Sequence, residues 1–211
     1  LLKHGADPNV RLERRMPLLS RYIQLANGLA PDPLGATPFW LAASYGDVEI
    51  MRILEDKGAN PLITTNDGTT PLMVAAGADF VEGQDKYGRR WFGNSTPLQK
   101  VALEAVKVCL ELGNNINATN KNGQTALHGA VYMGGTLLVP FLVKQGAEID
   151  AINKRGQTPW MIAAQGEYHA GAFYKHLETG KVLEELGADT SLGSDLGSNF
   201  QRILLERDQP E

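Results

Sequence analysis

Gly146-Ala147-Glu148-Ile149-Asp150 leads, twelve residues on from its glycine, to Thr158-Pro159-Trp160, and this pair of phrases runs through the whole chain. The first recurs as Gly5-Ala6-Asp7-Pro8-Asn9, Gly58-Ala59-Asn60-Pro61, Gly113-Asn114-Asn115-Ile116-Asn117 and Gly187-Ala188-Asp189. The second recurs as Thr37-Pro38-Phe39, Thr70-Pro71-Leu72 and Thr125-Ala126-Leu127. Gly58 to Thr70 and Gly113 to Thr125 are again 12 apart, while Thr37 to Gly58 and Thr125 to Gly146 are 21 apart, so the period is 33. A fixed period of this size marks an array of stacked units.

The residue types explain the phrases. Thr37, Thr70, Thr125 and Thr158 stand where a helix N-cap is wanted, since the hydroxyl accepts from free N–H groups of the first turn. Proline after three of them suits the first helical position, where its missing N–H is no loss. Phe39-Trp40-Leu41-Ala42-Ala43 then reads as a short helix of small residues, and Val48-Glu49-Ile50-Met51-Arg52-Ile53-Leu54 as a second helix with apolar residues at helical spacing. Gly58, Gly113, Gly146 and Gly187 follow the last turn, where a left-handed residue ends a helix cheaply. Each unit is thus helix–turn–helix plus an extended finger, its apolar face buried only by its neighbour.

With Gly-x-Thr-Pro-Leu and Gly-Ala-Asp at this period, residues 1–189 resemble the ankyrin repeat family. The resemblance implies an all-α solenoid with a β-hairpin-like finger in each repeat. The repeat domain is expected over 1–190: a half repeat at 1–10, a finger insertion at 11–31, repeats from about 32, 65, 120 and 153, and an insertion at 79–96. The last unit carries eight extra residues near 166–176, and 191–211 reads as a tail or capping helix, with apolar positions at 200, 203 and 204. Because the chain opens inside a motif, further repeats are expected on its N-terminal side. The insertions and the Thr-Pro-Phe-Trp variant look similar to bacterial arrays, some of them exported, so the compartment stays open between cytoplasm and exterior.

Composition narrows the function. The 211 residues are 43% hydrophobic and 21% charged, ordinary globular usage that excludes a disordered tail. A net charge of −4 argues against nucleic acid as a partner, which calls for a basic face. One cysteine, Cys109, permits no internal disulfide, and with four histidines there is little for a soft metal. The longest stretch free of Asp, Glu, Lys and Arg, 122–143, is broken by Gly134, Gly135 and Pro140 and reads as no membrane span.

No nucleophile elbow, Walker loop, His-Glu-x-x-His or Cys-x-x-Cys occurs, so no catalytic residue, cofactor or metal site is expected and the chain reads as non-enzymatic. Glu167, His169 and His176 cluster in the last insertion but read as solvated loop polarity. Asp79, Glu82 and Asp85 lack the ligand spacing of a calcium loop. Cys109 reads as an inert core thiol, and Trp160 as core. Asn94 and Asn117 begin glycosylation tripeptides of a kind that arises often by chance. The resemblance makes His128 a structural histidine bonded to neighbouring backbone; Trp40, Met73 and Met161 replace it elsewhere, which puts that bond in doubt in three units.

The function implied by the resemblance is binding of a protein or peptide on the concave face. Its contact positions fall on fingertips at Asn66, Asp67, Lys121, Asn122, Lys154 and Arg155, and late in the first helices at Ser44, Tyr45, Tyr132 and Met133. Tyr45, Tyr132 and Met133 are large where nothing in the repeat calls for bulk, and such side chains favour interface cores. Lys121, Lys154 and Arg155 form a small basic edge suited to an acidic peptide or a carboxylate. Insertion 79–96 adds Trp91 among several aromatics, which either fold back onto the stack or form a binding lip; 11–31 reads as a short helix or a long finger. A small-molecule or hydrolytic site between the two insertions is the alternative, and a structural segment of a longer array is another.

Overall fold

The computed structural model describes residues 2–14, 33–78, 96–169 and 172–193. Insertion residues 15–32 and 79–95, with Trp91, Asp79, Glu82 and Asp85, lie outside the described residues, as does the tail helix expected near 200–207. The first unit holds α1 (Pro38–Ser44) and α2 (Val48–Asp56), the second α3 (Pro71–Ala75) and α4 (Thr96–Glu111). The third holds α5 (Ala126–Tyr132) and α6 (Leu138–Lys144), the fourth α7 (Pro159–Gln165) and α8 (Leu177–Glu185). In the fourth, the extra residues form a short antiparallel pair rather than a loop, β1 (Glu167–His169) with β2 (Ala172–Tyr174), Tyr168 opposite Phe173.

The first helices pack in one row, α1 on α3 on α5 on α7, and the second helices form an outer row behind them. Each first helix begins on its threonine, whose side chain accepts from the N–H three residues on: Trp40, Met73, His128 and Met161. Five residues after the threonine stands a buried alanine in every unit, Ala42, Ala75, Ala130 and Ala163. That small Cβ lets the inner row close up, and Phe39, Leu72, Leu127, Met51, Leu138 and Leu142 fill the space behind it without exposure. The result is an all-α solenoid.

Two departures from the expected pattern have physical causes. Trp160 is half-buried rather than core, with its indole N–H donating to Glu184 Oε1 at 2.8 Å. The equivalent side chains of earlier units are covered by the following first helix, and among the described residues no such helix follows α7. The start of α6 carries no side-chain cap of its own. Instead Gln99, buried on α4, accepts from Leu137 N at 2.8 Å and donates to Gly134 O at 3.4 Å.

Glycines bring the backbones of the second and third units close together beside α3 and α5. A Cβ at Gly129 would lie 2.7 Å from Ala78 N and 3.0 Å from Met73 O, and one at Gly77 would lie 2.8 Å from Gly129 O. Helix propensity alone favours Ala over Gly by about 1 kcal/mol, so Gly129→Ala tests which effect wins. Backbone atoms cannot yield as a side chain tip can, and we expect Gly129→Ala to lower the urea midpoint, with a net loss of about 1–3 kcal/mol. A raised midpoint would mean the two units separate freely.

Candidate partner-binding surface

The fingers owe their shape to short local bonds. In each of three, the third residue before the glycine closes the tip, with backbone bonds Thr65 N to Thr69 O (3.1 Å), Asn120 N to Gln124 O (3.1 Å) and Asn153 N to Gln157 O (3.0 Å). Its side chain does the same: Asn120 Oδ1 accepts from Asn122 N and Gln124 N, and Asn153 Oδ1 from Arg155 N and Gln157 N, at 2.9 and 3.1 Å in each case. Neighbouring fingers are then tied by one repeated bond. Asn66 N donates to Leu34 O at 2.8 Å, Lys121 N to Asp67 O at 2.7 Å and Lys154 N to Asn122 O at 2.9 Å. In repeat terms this is always the same donor and the same acceptor, so the fingertips stand in fixed register.

A second tie runs from the first helices to the next finger. His128 Nδ1 accepts from Thr125 N at 3.2 Å and Nε2–H donates to Gln157 O at 3.3 Å, which requires the neutral ring. Burial pushes its pKa down to about 4. Trp40, in the equivalent place, makes the same outward bond, indole N–H to Thr69 O at 3.0 Å. The doubt raised by the loss of histidine there is therefore removed: any ring N–H of similar reach serves. Met73 and Met161 supply only the inward half, their sulfurs accepting from Thr70 N (3.5 Å) and Thr158 N (3.2 Å).

Of the expected contact residues, the fingertip six fall in one row. Lys121, Lys154, Arg155 and Asn66 are exposed, and Asp67 and Asn122 half-buried. Asp67 Oδ1 is engaged by Thr69 N at 3.1 Å and by the Thr65 hydroxyl. Late in α1, Ser44 directs its hydroxyl to Leu41 O at 2.9 Å, whereas Tyr45 is 48% exposed. Tyr45 also lines an apolar cleft of about 530 Å³ with Pro38, Leu41 and Ile50. Tyr132 and Met133 do have structural employment: the Tyr132 phenol accepts from Gln124 Nε2 at 3.2 Å, and Met133 packs where a Cβ at Gly77 would lie 2.9 Å away.

Arg11 belongs with this row and was not singled out by the repeat pattern. It opens the finger insertion, and its guanidinium donates to Thr64 O at 2.8 Å and to Asn66 Oδ1 at 3.3 Å. Elsewhere, Cys109 is buried and its thiol is pushed up to about 12 by desolvation. Among the described residues no group of three or more His, Cys, Asp or Glu is placed to hold a metal ion, and no helix is long and apolar enough to cross a membrane.

A family model described as ankyrin repeats (3 copies) matches residues 1–83 and 96–192. The chain is an ankyrin repeat protein. It is 27% identical over 178 residues to a probable 26S proteasome regulatory subunit, p28, of Saccharomyces cerevisiae, covering 83% of this chain and 65% of that protein. It is 29% identical over 186 residues to the palmitoyltransferase AKR1 of Lachancea kluyveri, covering 88% of this chain and 21% of that one. With the neurogenic locus notch homolog protein 1 of Homo sapiens it shares 33% identity over 144 residues, 63% of this chain and 6% of that one. The chain thus spans less than two thirds of each of these relatives. Ankyrin repeats generally mediate protein–protein interaction.

On the side away from the fingertips the ankyrin units are clamped by an amide four residues after the glycine. Asn9 Nδ2 donates to Gly58 O at 3.0 Å while its Oδ1 accepts from Asn60 N at 2.7 Å. Asn117 repeats this with Gly146 O (3.0 Å) and Glu148 N (2.9 Å), and Asp150, lacking a donor, keeps only the bond from Asp189 N at 3.0 Å. The glycosylation tripeptide at Asn117 is accordingly a structural clamp; that at Asn94 lies outside the described residues. The joint between the second and third units has Leu62 at the clamp position, 51% exposed, and there the buried Asn114 holds the joint from the other side, donating to Pro61 O at 3.2 Å and Cys109 O at 3.1 Å.

Two measurements check these ties. Asn114→Ala should cost about 1–2 kcal/mol by urea unfolding, because the part-buried Pro61 O loses its side-chain donor and Cys109 O loses one of two. Adding Leu62→Asn should restore about 0.5–1.5 kcal/mol by rebuilding the clamp its neighbours use; no recovery would mean the joint cannot adopt that geometry. For His128 the unfolded chain takes up its proton near 6.5 and the folded one only near 4. This contribution is therefore complete above pH 6.5, falls as the pH drops through that window and is gone below 4, a span worth at most about 3 kcal/mol. His128→Met should lose about 1 kcal/mol at pH 7.5 yet decline less than the parent between pH 6.5 and 4; parallel curves would overturn the assignment.

Proposed function

We propose that the chain is a non-catalytic scaffold that binds a protein or peptide segment along the fingertips and the exposed ends of the first helices. The observation that carries this reading is the fixed register of the fingers: three identical backbone ties hold Asn66, Lys121 and Lys154 in equivalent places, one per unit. A row of side chains on a rigid backbone loses little freedom when a partner settles on it, and that preorganisation favours affinity. Tyr45 supplies an exposed aromatic at one end of the row, a residue type that dominates interface energetics. The match to the palmitoyltransferase spans 21% of that protein, and palmitoyl transfer is not carried over to this chain.

Peptides selected from a random display library on the immobilised chain provide the test. Amide hydrogen exchange with and without a selected peptide should show protection at 66–67, 121–122 and 154–155, and Tyr45→Ser should weaken binding about tenfold while leaving the circular dichroism spectrum unchanged. Protection confined to the second helices, or affinity untouched by Tyr45→Ser together with unprotected fingers, would overturn the proposal.

A further inference from the structure

Charge is divided unevenly between the two faces of the array. None of α1, α3, α5 and α7 contains an Asp, Glu, Lys or Arg, so the inner row offers an uncharged floor. The second helices carry Glu49, Glu55, Asp56, Glu104, Glu111, Glu178, Glu184 and Glu185, and ion pairs lie on or beside them: Arg52 with Glu111, Lys57 with Asp56, Lys107 with Glu104 and Lys181 with Glu178. The turns beyond them add Asp7, Glu148, Asp150 and Asp189. Along the fingers the balance reverses. Among the described finger residues the cations Arg11, Arg14, Lys121, Lys154 and Arg155 outnumber the carboxylates Glu13 and Asp67, the latter already engaged within its own finger. Lys121 and Lys154 are exposed and have no ion-pair partner among the described residues. Among the described residues, a protein with a net charge of −4 therefore presents a mainly positive rim over an uncharged floor on the finger side.

We infer that the partner segment is acidic and extended, with carboxylates spaced to meet the lysines of successive fingers. This rests on the proposal that the finger row is the binding surface, and adds to it the chemistry of the occupant. Lys121 and Lys154 stand at equivalent positions of adjacent units, and stacked helices lie about 10 Å apart. An extended chain advances about 3.3 Å per residue, so acidic residues about three apart reach successive fingers. An apolar or aromatic residue between them would lie over the uncharged floor near Tyr132 and Met133. A protein segment fits this surface better than a nucleic acid, because phosphate binding gains from a broad basic field, whereas here a short row of cations stands on an acidic body.

The same display selection decides the matter, run on the parent, on Lys121→Glu/Lys154→Glu, and on Lys100→Glu/Lys144→Glu, which changes the net charge equally on the second helices. All three must first give the same circular dichroism spectrum and urea midpoint. Peptides enriched on the parent should be rich in Asp and Glu at a spacing of about three. They should bind the fingertip variant at least about tenfold more weakly, bind the control variant within about twofold of the parent, and weaken as salt rises. Enriched peptides without acidic excess that still protect the fingers from hydrogen exchange would overturn the acidic partner and leave the binding surface standing. Peptides that protect only the second helices, or no enrichment at all, would overturn both. A labelled twenty-nucleotide single strand serves as the further probe; if it binds the parent and the fingertip variant abolishes that binding while peptides fail, the occupant is nucleic acid and the inference falls.

Discussion

Inner helices of five to seven residues are too short to persist in water by themselves. Each exists because the next one covers it, and everything else in the array follows from that dependence. Alanine recurs at 42, 75, 130 and 163 because the covering helix must come close, and Gly77 and Gly129 meet where a side chain would collide with neighbouring backbone. What the fingers bury is polar, such as Thr65, Thr69, Asn120, Gln124 and Asn153. Their contribution is directional: a backbone bond from each finger to the one before sets the rotation between units, and this register is what turns a pile of helices into an ordered surface.

The ties between units are chemically interchangeable. An imidazole N–H at 128 and an indole N–H at 40 make the same outward bond, and two methionine sulfurs substitute for the inward one. An amide at position 117 clamps one joint from below and an amide at position 114 clamps another from above. What the fold demands at each joint is a satisfied carbonyl and a satisfied N–H, and it accepts whichever side chain reaches them. This tolerance leaves the exposed fingertips free to carry charge without consequence for the stack.

The periodic part of this architecture was legible in the residues: threonine caps, post-helical glycines and small-residue helices announce their places because local backbone geometry selects them. What was not legible depends on neighbours remote in sequence. Gly129 reads as a poor helix residue until Ala78 is seen against it. Trp160 reads as core because its counterparts are, and only its place in the last described unit uncovers it. The loss of histidine from three units suggested missing ties, since a pattern cannot show that tryptophan reaches the same carbonyl. Of the candidate surface, the fingertip row followed from counting, while the engagement of Asp67 within its finger and the arrival of Arg11 over Thr64 needed coordinates. The charge on the fingers was visible in the sequence; the uncharged floor beneath it emerged only once the inner row was assembled.

The ladder of finger bonds also bears on the order in which the array assembles. Leu34 to Asn66 and Asn122 to Lys154 close loops of 32 residues, whereas Asp67 to Lys121 closes one of 54. Counted as chain length alone, the longer closure costs about 0.5 kcal/mol more in entropy, and it must be met before the contacts that reward it are made. In a stack stabilised only by nearest neighbours, pairing therefore proceeds most readily within each half, and the seam between the second and third units closes last.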